Sequence, residues 1–377
     1  MDAIESYRID CENKRRGMRD RPHDAVLTQL RSLLGAVVVV ALLLPAPGAS
    51  QASWPEPLAV ARAFAERYPQ AASVSYIPTL SWRGALRLAE LTGDVSWRAR
   101  ARTGMQPLLE GPLPGEGQSP TLTRLAGYAA AADLGRIEGD AAAMARARTA
   151  AGLVIARDSA AVRFATGWTD DMFMATSLLT AVPGEGVDER RTTVAALLTT
   201  YARRLQRADG LFVHAEDAPH AWGRGNGFAA LGLAEALTHL PAEAAERPRI
   251  LDVFHAQMRA FVRHQAEDGS WRQVVDDPSS YLELSVTAMA VTAMARGVRL
   301  GWLDAATYRP VLERGWRAVV ERIGPDGSVR DVCTSTGAGP TLAYYLERPT
   351  VTGMDDRGGG LVLTAALEMV GLERSAR

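Results

Sequence analysis

The sequence predicts an all-α protein, an (α/α)6 barrel of helical hairpins in a single domain, on three observations. From Pro55 onward, apolar residues recur at three- and four-residue spacing in segments dominated by alanine, leucine and arginine, as amphipathic helices require. Gly-Asp pairs then punctuate these segments. Residues 83–92 end at Gly93-Asp94 with a helix following from Trp97, and residues 126–138 end at Gly139-Asp140 with a helix from Ala141. Glycine closes one helix in the left-handed region and aspartate caps the next. Finally, Asp209-Gly210-Leu211, Asp268-Gly269-Ser270 and Asp326-Gly327-Ser328 recur 59 and then 58 residues apart, each after a helix and before a loop leading into another. At roughly 50–60 residues per hairpin, residues 53–377 make about six hairpins. Six suit a closed toroid with inner and outer helix rings, since an open stack needs polar capping repeats and none is visible.

Residues 1–52 read as a secretory signal peptide. Arg31 precedes an apolar run at residues 33–44, followed by Pro45 and the small-residue stretch 46–52, with cleavage expected near Ala49 or Ala52. A run of about a dozen residues is short for a membrane span, which needs about 20. Met18 offers an alternative start. The expectation is export, to a bacterial periplasm, as a mature chain of residues 53–377 with no membrane association. Cleavage removes the sole lysine, Lys14, and Cys11, leaving Cys333 unpaired, so Schiff-base and pyridoxal chemistry are excluded. The five remaining histidines, at 214, 220, 239, 255 and 264, show no metal-ligand spacing, so no metal and no cofactor are expected. A net charge of −1 gives no reason to expect nucleic acid, and the oligomeric state stays open.

Candidate chemistry concentrates in five stretches. Ala221-Trp222-Gly223-Arg224-Gly225-Asn226-Gly227-Phe228 runs into an apolar helix. Its glycines permit close backbone approach, Trp222 offers a stacking face, Arg224 a cation and Asn226 donors and acceptors, all at a helix N-terminus that favours an anion. This suits a sugar bearing a carboxylate; a glycine-rich turn around a buried Trp is the plainer alternative, and the glycine spacing is wrong for a dinucleotide loop. Thr166-Gly167-Trp168-Thr169-Asp170-Asp171-Met172-Phe173-Met174 brings two adjacent carboxylates into an apolar helix. One aspartate can cap or brace while the other faces the toroid centre, and a carboxyl against aromatic and Met surface is pushed toward the protonated form a general acid needs. His214 lies in the loop before the glycine motif. Trp271-Arg272-Gln273 through Tyr281-Leu282-Glu283 and the last loop, Thr352 to Gly360 with Asp355-Asp356-Arg357, carry hydrogen-bonding side chains suited to sugar hydroxyls.

In order, Trp168-Thr-Asp-Asp-Met-Phe-Met174, Asp209-Gly-Leu-Phe-Val-His214, Trp222-Gly-Arg-Gly-Asn-Gly227, Trp271 to Tyr281, Thr287-Ala-Met289, residues 295–303 and Asp355-Asp-Arg-Gly-Gly359 resemble the unsaturated rhamnogalacturonyl hydrolases, glycoside hydrolase family 105. The resemblance spans roughly residues 80–370. It implies an (α/α)6 barrel acting on the 4,5-unsaturated galacturonic acid that a lyase leaves at the non-reducing end of pectin fragments. An aspartate protonates C4, water adds at C5, and the resulting hemiketal opens to release the partner sugar, typically rhamnose. The separation rule for retaining and inverting carboxylate pairs therefore does not apply. By motif position Asp171 best matches the catalytic aspartate, with Asp170 the other candidate. His214, Trp222, Arg224 and Asn226 match positions around the unsaturated uronate, Arg224 facing its carboxylate. Phe228, Trp168, Met172, Gln273 and Asp356 complete the candidate substrate contacts. Two features depart from the family: residues 117–128 offer no aspartate for the second acidic position, and Phe228 stands where Trp is common.

Other readings remain open: an unsaturated glucuronyl hydrolase acting on other polysaccharide fragments, a conventional two-carboxylate glycosidase, or a non-catalytic periplasmic oligosaccharide-binding barrel. Turnover of saturated substrates marks the second. Binding without turnover marks the third.

Overall fold

The computed structural model describes residues 56–117, 119–156 and 161–375, so the expected leader at residues 1–52 and its Met18 lie outside the described residues. Among the described residues, twelve long helices alternate between two rings: α1 (Pro57–Arg67), α2 (Tyr76–Thr92), α3 (Ser96–Gly104), α4 (Ala129–Glu138), α5 (Ala141–Val154), α6 (Asp170–Ala181), α7 (Val187–Leu205), α8 (Gly223–His239), α9 (Arg247–His264), α10 (Leu284–Arg299), α11 (Ala305–Glu321) and α12 (Asp356–Ser375). The even helices close a ring: α2 packs on α4, α4 on α6, α6 on α8, α8 on α10, α10 on α12, and α12 on α2. Each odd helix packs outside, α1 on α12 and α2, α3 on α2, α5 on α4, α7 on α6, α9 on α8 and α11 on α10. This is the (α/α)6 barrel.

Sequence decides which ring a helix joins. An inner helix touches protein on every side and must be apolar all round. In α8 every residue from Gly223 to Leu237 is buried, and in α10 every residue from Leu284 to Ala295. The outer α11 buries one stripe, Tyr308, Val311, Leu312, Gly315, Trp316 and Val319, at three- and four-residue spacing. Close approach in the inner ring needs glycine: a Cβ on Gly232 would sit 2.4 Å from the Met172 carbonyl oxygen, so any larger residue would push α8 off α6.

The punctuation works largely as expected. Gly93 and Gly139 close their helices at φ 73° and 69°. Asp140 caps α5 by accepting from the Ala143 N–H at 3.0 Å, whereas Asp94 instead turns the chain by accepting from the Ser96 N–H. Helix α2 starts at Tyr76 rather than at residue 83 because Ser75 caps it, and residues 126–128 form a 3-10 turn ahead of α4. The three Asp-Gly repeats share one geometry. Gly210, Gly269 and Gly327 take φ of 95°, 93° and 84°, and each Asp accepts from the N–H two residues on, at 3.0, 2.9 and 2.9 Å. Each turn launches a long loop toward the next inner helix. Two of these loops are stiffened by short antiparallel pairs, β1 (Trp271–Arg272) with β2 (Leu282–Glu283), and β3 (Val329–Cys333) with β4 (Thr350–Gly353).

Candidate functional site

The inner helices all run the same way, so their N-termini share one end of the barrel. Tyr76, Asp170, Arg224, Glu283 and Asp356 sit in or beside the first turns of α2, α6, α8, α10 and α12. Thr169, just before α6, donates its N–H to the His214 carbonyl at 3.0 Å, tying the 211–215 loop to the start of that helix. Gly225 lets α8 close on the same point, since a Cβ there would meet Thr169 Oγ1 at 2.5 Å.

The two aspartates divide their labour. Asp171, the preferred acid by motif position, is fully buried and accepts from Thr166 N–H at 2.7 Å, Gly167 N–H at 2.8 Å, Thr166 Oγ1 at 3.1 Å and Tyr201 OH at 2.6 Å. Burial pushes its pKa up, and those hydrogen bonds oppose the shift. Its carboxylate braces the turn that delivers α6 and has no face toward solvent. Asp170 is the opposite case: its Oδ2 is buried without a hydrogen-bond partner and lies 3.4 Å from His214 Nε2, which also has none. The geometry thus reverses the order of preference between the two.

His214 is wedged between Trp222, at 4.5 Å between ring centres, and Trp168, at 5.3 Å. Trp222 is buried with its Nε1 unpartnered. Arg224 is held from behind: Nε donates to Ser285 Oγ at 2.9 Å, Nη2 donates to the Cys333 carbonyl, and the Glu283 carboxylate lies 3.8 Å away. Among the described residues Nη1 carries no hydrogen bond. Glu283 is itself fixed, accepting from Ser285 Oγ, Val286 N–H and Cys333 N–H at 2.7–2.8 Å. Gln273 is fully buried with both amide atoms unpartnered. Tyr76 belongs to the same end: burial and the Asp170 carboxylate push its phenol up, opposed by Arg224 and Arg357.

Other candidate contacts turn out to be braces. Asn226 uses its whole amide locally, accepting from Phe212 N–H and donating to the Phe212 and Trp222 carbonyls at 2.8, 2.8 and 3.0 Å, so it has nothing left for a ligand. Phe228 is buried between Phe173, stacked at 5.7 Å, and Tyr76, edge-on at 5.5 Å; it floors the site. Met172 is core. Asp356 accepts from the Gln70 and Ala71 N–H groups at 2.5 and 3.2 Å, clamping the segment between α1 and α2.

Sequence reasoning missed Tyr76, Tyr201, Ser285, Glu283 as the anchor of Arg224, and Tyr345, whose hydroxyl lies 2.8 Å from His214 Nδ1. Glu283 sits at the end of a stretch already singled out, and a carboxylate three residues before a helical N–H is a capping signal that finds it. Tyr76 and Tyr345 are brought in by tertiary packing alone.

A cavity of about 360 Å³ opens at the other end of the barrel, among the C-terminal halves of α2, α4, α8, α10 and α12. Its charges are paired with one another. Arg83 meets Asp133 and Glu235 at 2.7 and 2.9 Å, Arg296 meets Glu235 and Glu368 at 2.8 Å, and Arg299 meets Glu368 at 2.8 Å.

Comparison with known proteins agrees with the fold. The sequence profile of Glycosyl Hydrolase Family 88 matches residues 60–373. An unsaturated rhamnogalacturonyl hydrolase of Bacillus subtilis (strain 168) is 32% identical over 143 residues, 38% of this chain and 39% of that protein. An unsaturated 3S-rhamnoglycuronyl hydrolase of Formosa agariphila is 30% identical over 154 residues, 40% of this chain and 39% of that protein. The chain thus spans about two fifths of the length of these relatives. A crystal structure of a possible member of the GH105 family from Salmonella enterica superposes with a TM-score of 0.74 at 20% identity, covering 90% of this chain and 100% of that one. An unsaturated glucuronyl hydrolase specific for heparin gives 0.64 at 13% identity, covering 84% and 96%. At such identities these two speak for the fold.

Proposed function

The chain belongs to glycosyl hydrolase family 88, and we propose that it hydrates the 4,5-double bond of an unsaturated uronic acid at the non-reducing end of an oligosaccharide, with Asp170 as the acid. The observation that carries this reading is the pair of buried, unpartnered atoms, Asp170 Oδ2 and His214 Nε2, at the end of the barrel that also holds Arg224. Buried polar atoms are ordinarily hydrogen-bonded, so a cluster of exceptions marks where a ligand completes the set.

In this mechanism the uronate carboxylate meets the Nη1 edge of Arg224, and the sugar ring lies against Trp222 and Tyr76 over the Phe228 floor. Asp170, protonated, gives its proton to C4. Water adds its oxygen to C5 and returns a proton to the Asp170 carboxylate. The product carries OH and the ring oxygen on C5. This hemiketal opens by breaking the bond from C5 to the ring oxygen, leaving a ketone at C5 and a hemiacetal at C1, whose collapse to the aldehyde breaks the C1–O bond so that the partner sugar leaves with a hydroxyl. No glycosyl-enzyme bond forms.

For the finer assignment we propose unsaturated galacturonic acid from pectin, with rhamnose or a shortened oligosaccharide released. The ordered motifs and the name of the Bacillus relative support it. The neighbour active on heparin keeps a glucuronyl substrate as the second reading. We also propose export to a periplasm; the apolar run at residues 33–44 followed by Pro45 and small residues supports that reading. The test is a panel of unsaturated galacturonyl-rhamnose, unsaturated glucuronyl disaccharides and their saturated counterparts, followed by loss of the double-bond ultraviolet absorbance and by released sugar. Turnover confined to unsaturated galacturonyl-rhamnose is expected. Equal or better turnover of the glucuronyl series overturns the pectin assignment, and turnover of a saturated substrate overturns hydration chemistry.

A further inference from the structure

The loop after β3 places Tyr345 behind His214. Tyr345 is fully buried, its hydroxyl oxygen accepts from the Gly339 N–H at 3.1 Å, and it lies 2.8 Å from His214 Nδ1. His214 is 1% exposed, its backbone is tied to His220 and Thr169, and its ring is boxed by Trp168 and Trp222, so it has little freedom to turn over. Its other nitrogen, Nε2, faces Asp170 Oδ2 at 3.4 Å.

A neutral imidazole carries one N–H, and a phenol carries one hydrogen. If His214 bore its hydrogen on Nδ1 and donated to Tyr345, the tyrosine's own O–H would have no acceptor among the described residues. A buried donor left in that state is disfavoured, because it has lost its water partner and gained none. The Nε2 lone pair would meanwhile point toward Asp170 and would meet only lone pairs whenever that carboxyl is ionised. With the opposite tautomer, Gly339 N–H donates to Tyr345, Tyr345 O–H donates to Nδ1, and Nε2–H is presented on the Asp170 side. The Tyr345 end of the ring selects this arrangement, and an ionised Asp170 favours it from the other end. Burial pushes the Tyr345 phenol up to about 12, which keeps its hydrogen in place over any working pH.

We propose that Tyr345 is a positioning residue that locks His214 as the Nε2–H tautomer, making His214 a hydrogen-bond donor beside Asp170 and not a base. Nε2 and Oδ2 are close but not aligned as a hydrogen bond, so both address a common third point. In the hydration sequence the donor offsets the negative charge that Asp170 acquires as its proton leaves for C4, and charge is offset most effectively by a dipole fixed in advance. This consequence rests on the proposed hydration; the tautomer does not.

The test is long-range proton–nitrogen correlation spectroscopy of the full chain labelled with nitrogen-15 in histidine, at a pH where the rings are neutral, with the His214 signals identified by their loss in His214→Gln. In the wild type Nε2 is expected at the protonated, pyrrole-like shift and Nδ1 at the unprotonated, pyridine-like shift. Tyr345→Phe is expected to populate the second tautomer measurably and to lower kcat about ten-fold while KM changes less than two-fold. A wild-type His214 carrying its hydrogen on Nδ1 overturns the proposal whatever the variant does, including if the variant fails to fold. So does a folded Tyr345→Phe whose tautomer and kcat match the wild type. Absence of turnover on every unsaturated uronide sinks the hydrolase reading and leaves the nitrogen spectrum to decide the tautomer.

Discussion

The two ends of this barrel are built from the same helices and treat charge in opposite ways. At the N-terminal end, Thr169 Oγ1, Asp170 Oδ2, His214 Nε2, Trp222 Nε1 and both amide atoms of Gln273 are buried without partners. At the C-terminal end, a continuous chain, Asp133–Arg83–Glu235–Arg296–Glu368–Arg299, pairs its carboxylates with guanidinium groups around an open cavity. Arg296 and Arg299 in the last turn of α10 also complement the carbonyl end of that helix. What separates the two is satisfaction: the closed network ties five inner helices together, and the open one leaves polar atoms that a ligand can complete.

Four substitutions break or sharpen this contrast. The largest effect is expected from Asp170→Asn, which removes the transferable proton and leaves shape intact. Rates should fall by about 10²–10⁴-fold, the usual weight of a general acid, with a melting temperature near that of the wild type by calorimetry. Next is Glu235→Ala, which takes one of two carboxylate partners from each of Arg83 and Arg296 and should cost about 1–3 kcal/mol, read by denaturant unfolding, while KM in the surviving folded fraction is unchanged.

The same residue carries a pH signature. Against the burial that would raise it, Arg83 and Arg296 hold the Glu235 carboxyl well below the usual range. Its folded pKa is therefore lower than its unfolded one, and the stabilisation is complete above the unfolded value and lost as pH falls. The stability gap between wild type and Glu235→Gln should be constant above about pH 6 and shrink on acidification; a gap that widens toward acid contradicts the pairing.

Arg224→Lys comes third. It keeps a cation beside Glu283 but loses the planar fork, so KM for a charged uronide should rise roughly ten-fold or more with little change in kcat. A methyl-ester substrate, which lacks the charge, should show no such rise. Smallest is Asn226→Ala, which frees the Phe212 N–H and carbonyl and the loop bearing His214. A loss of about 1–3 kcal/mol in stability is expected, with any catalytic loss following the loop and not substrate affinity.

Much of this was legible in the sequence because it is local. Gly-Asp and Asp-Gly punctuation is a property of two or three residues, and a helix apolar on all sides declares itself in any single sequence. The hairpin count followed from those signals. The site was legible to the level of segments: the glycine motif, the aspartate pair and the 211–214 loop do converge. Within segments the reading failed where neighbours decide. Asp171 and Asp170 differ only in which way each carboxylate points, and that depends on Tyr201, 30 residues away. Asn226 looks like a ligand-binding amide until Phe212 is seen to use it fully. Tyr345 reaches His214 across 131 residues of chain, a distance no spacing rule covers.

The division of labour between the two aspartates is the centre of the account, and one assay addresses it. Purified Asp170→Asn and Asp171→Asn chains, each shown to be folded, are given unsaturated galacturonyl-rhamnose, and the ultraviolet absorbance of the double bond is followed beside the wild type. The account predicts a steady fall with wild type, one slowed by about 10²–10⁴-fold with Asp170→Asn, and a much less reduced fall with Asp171→Asn, whose lost brace weakens the turn without removing the proton donor. Turnover surviving in Asp170→Asn and vanishing in a folded Asp171→Asn would contradict it.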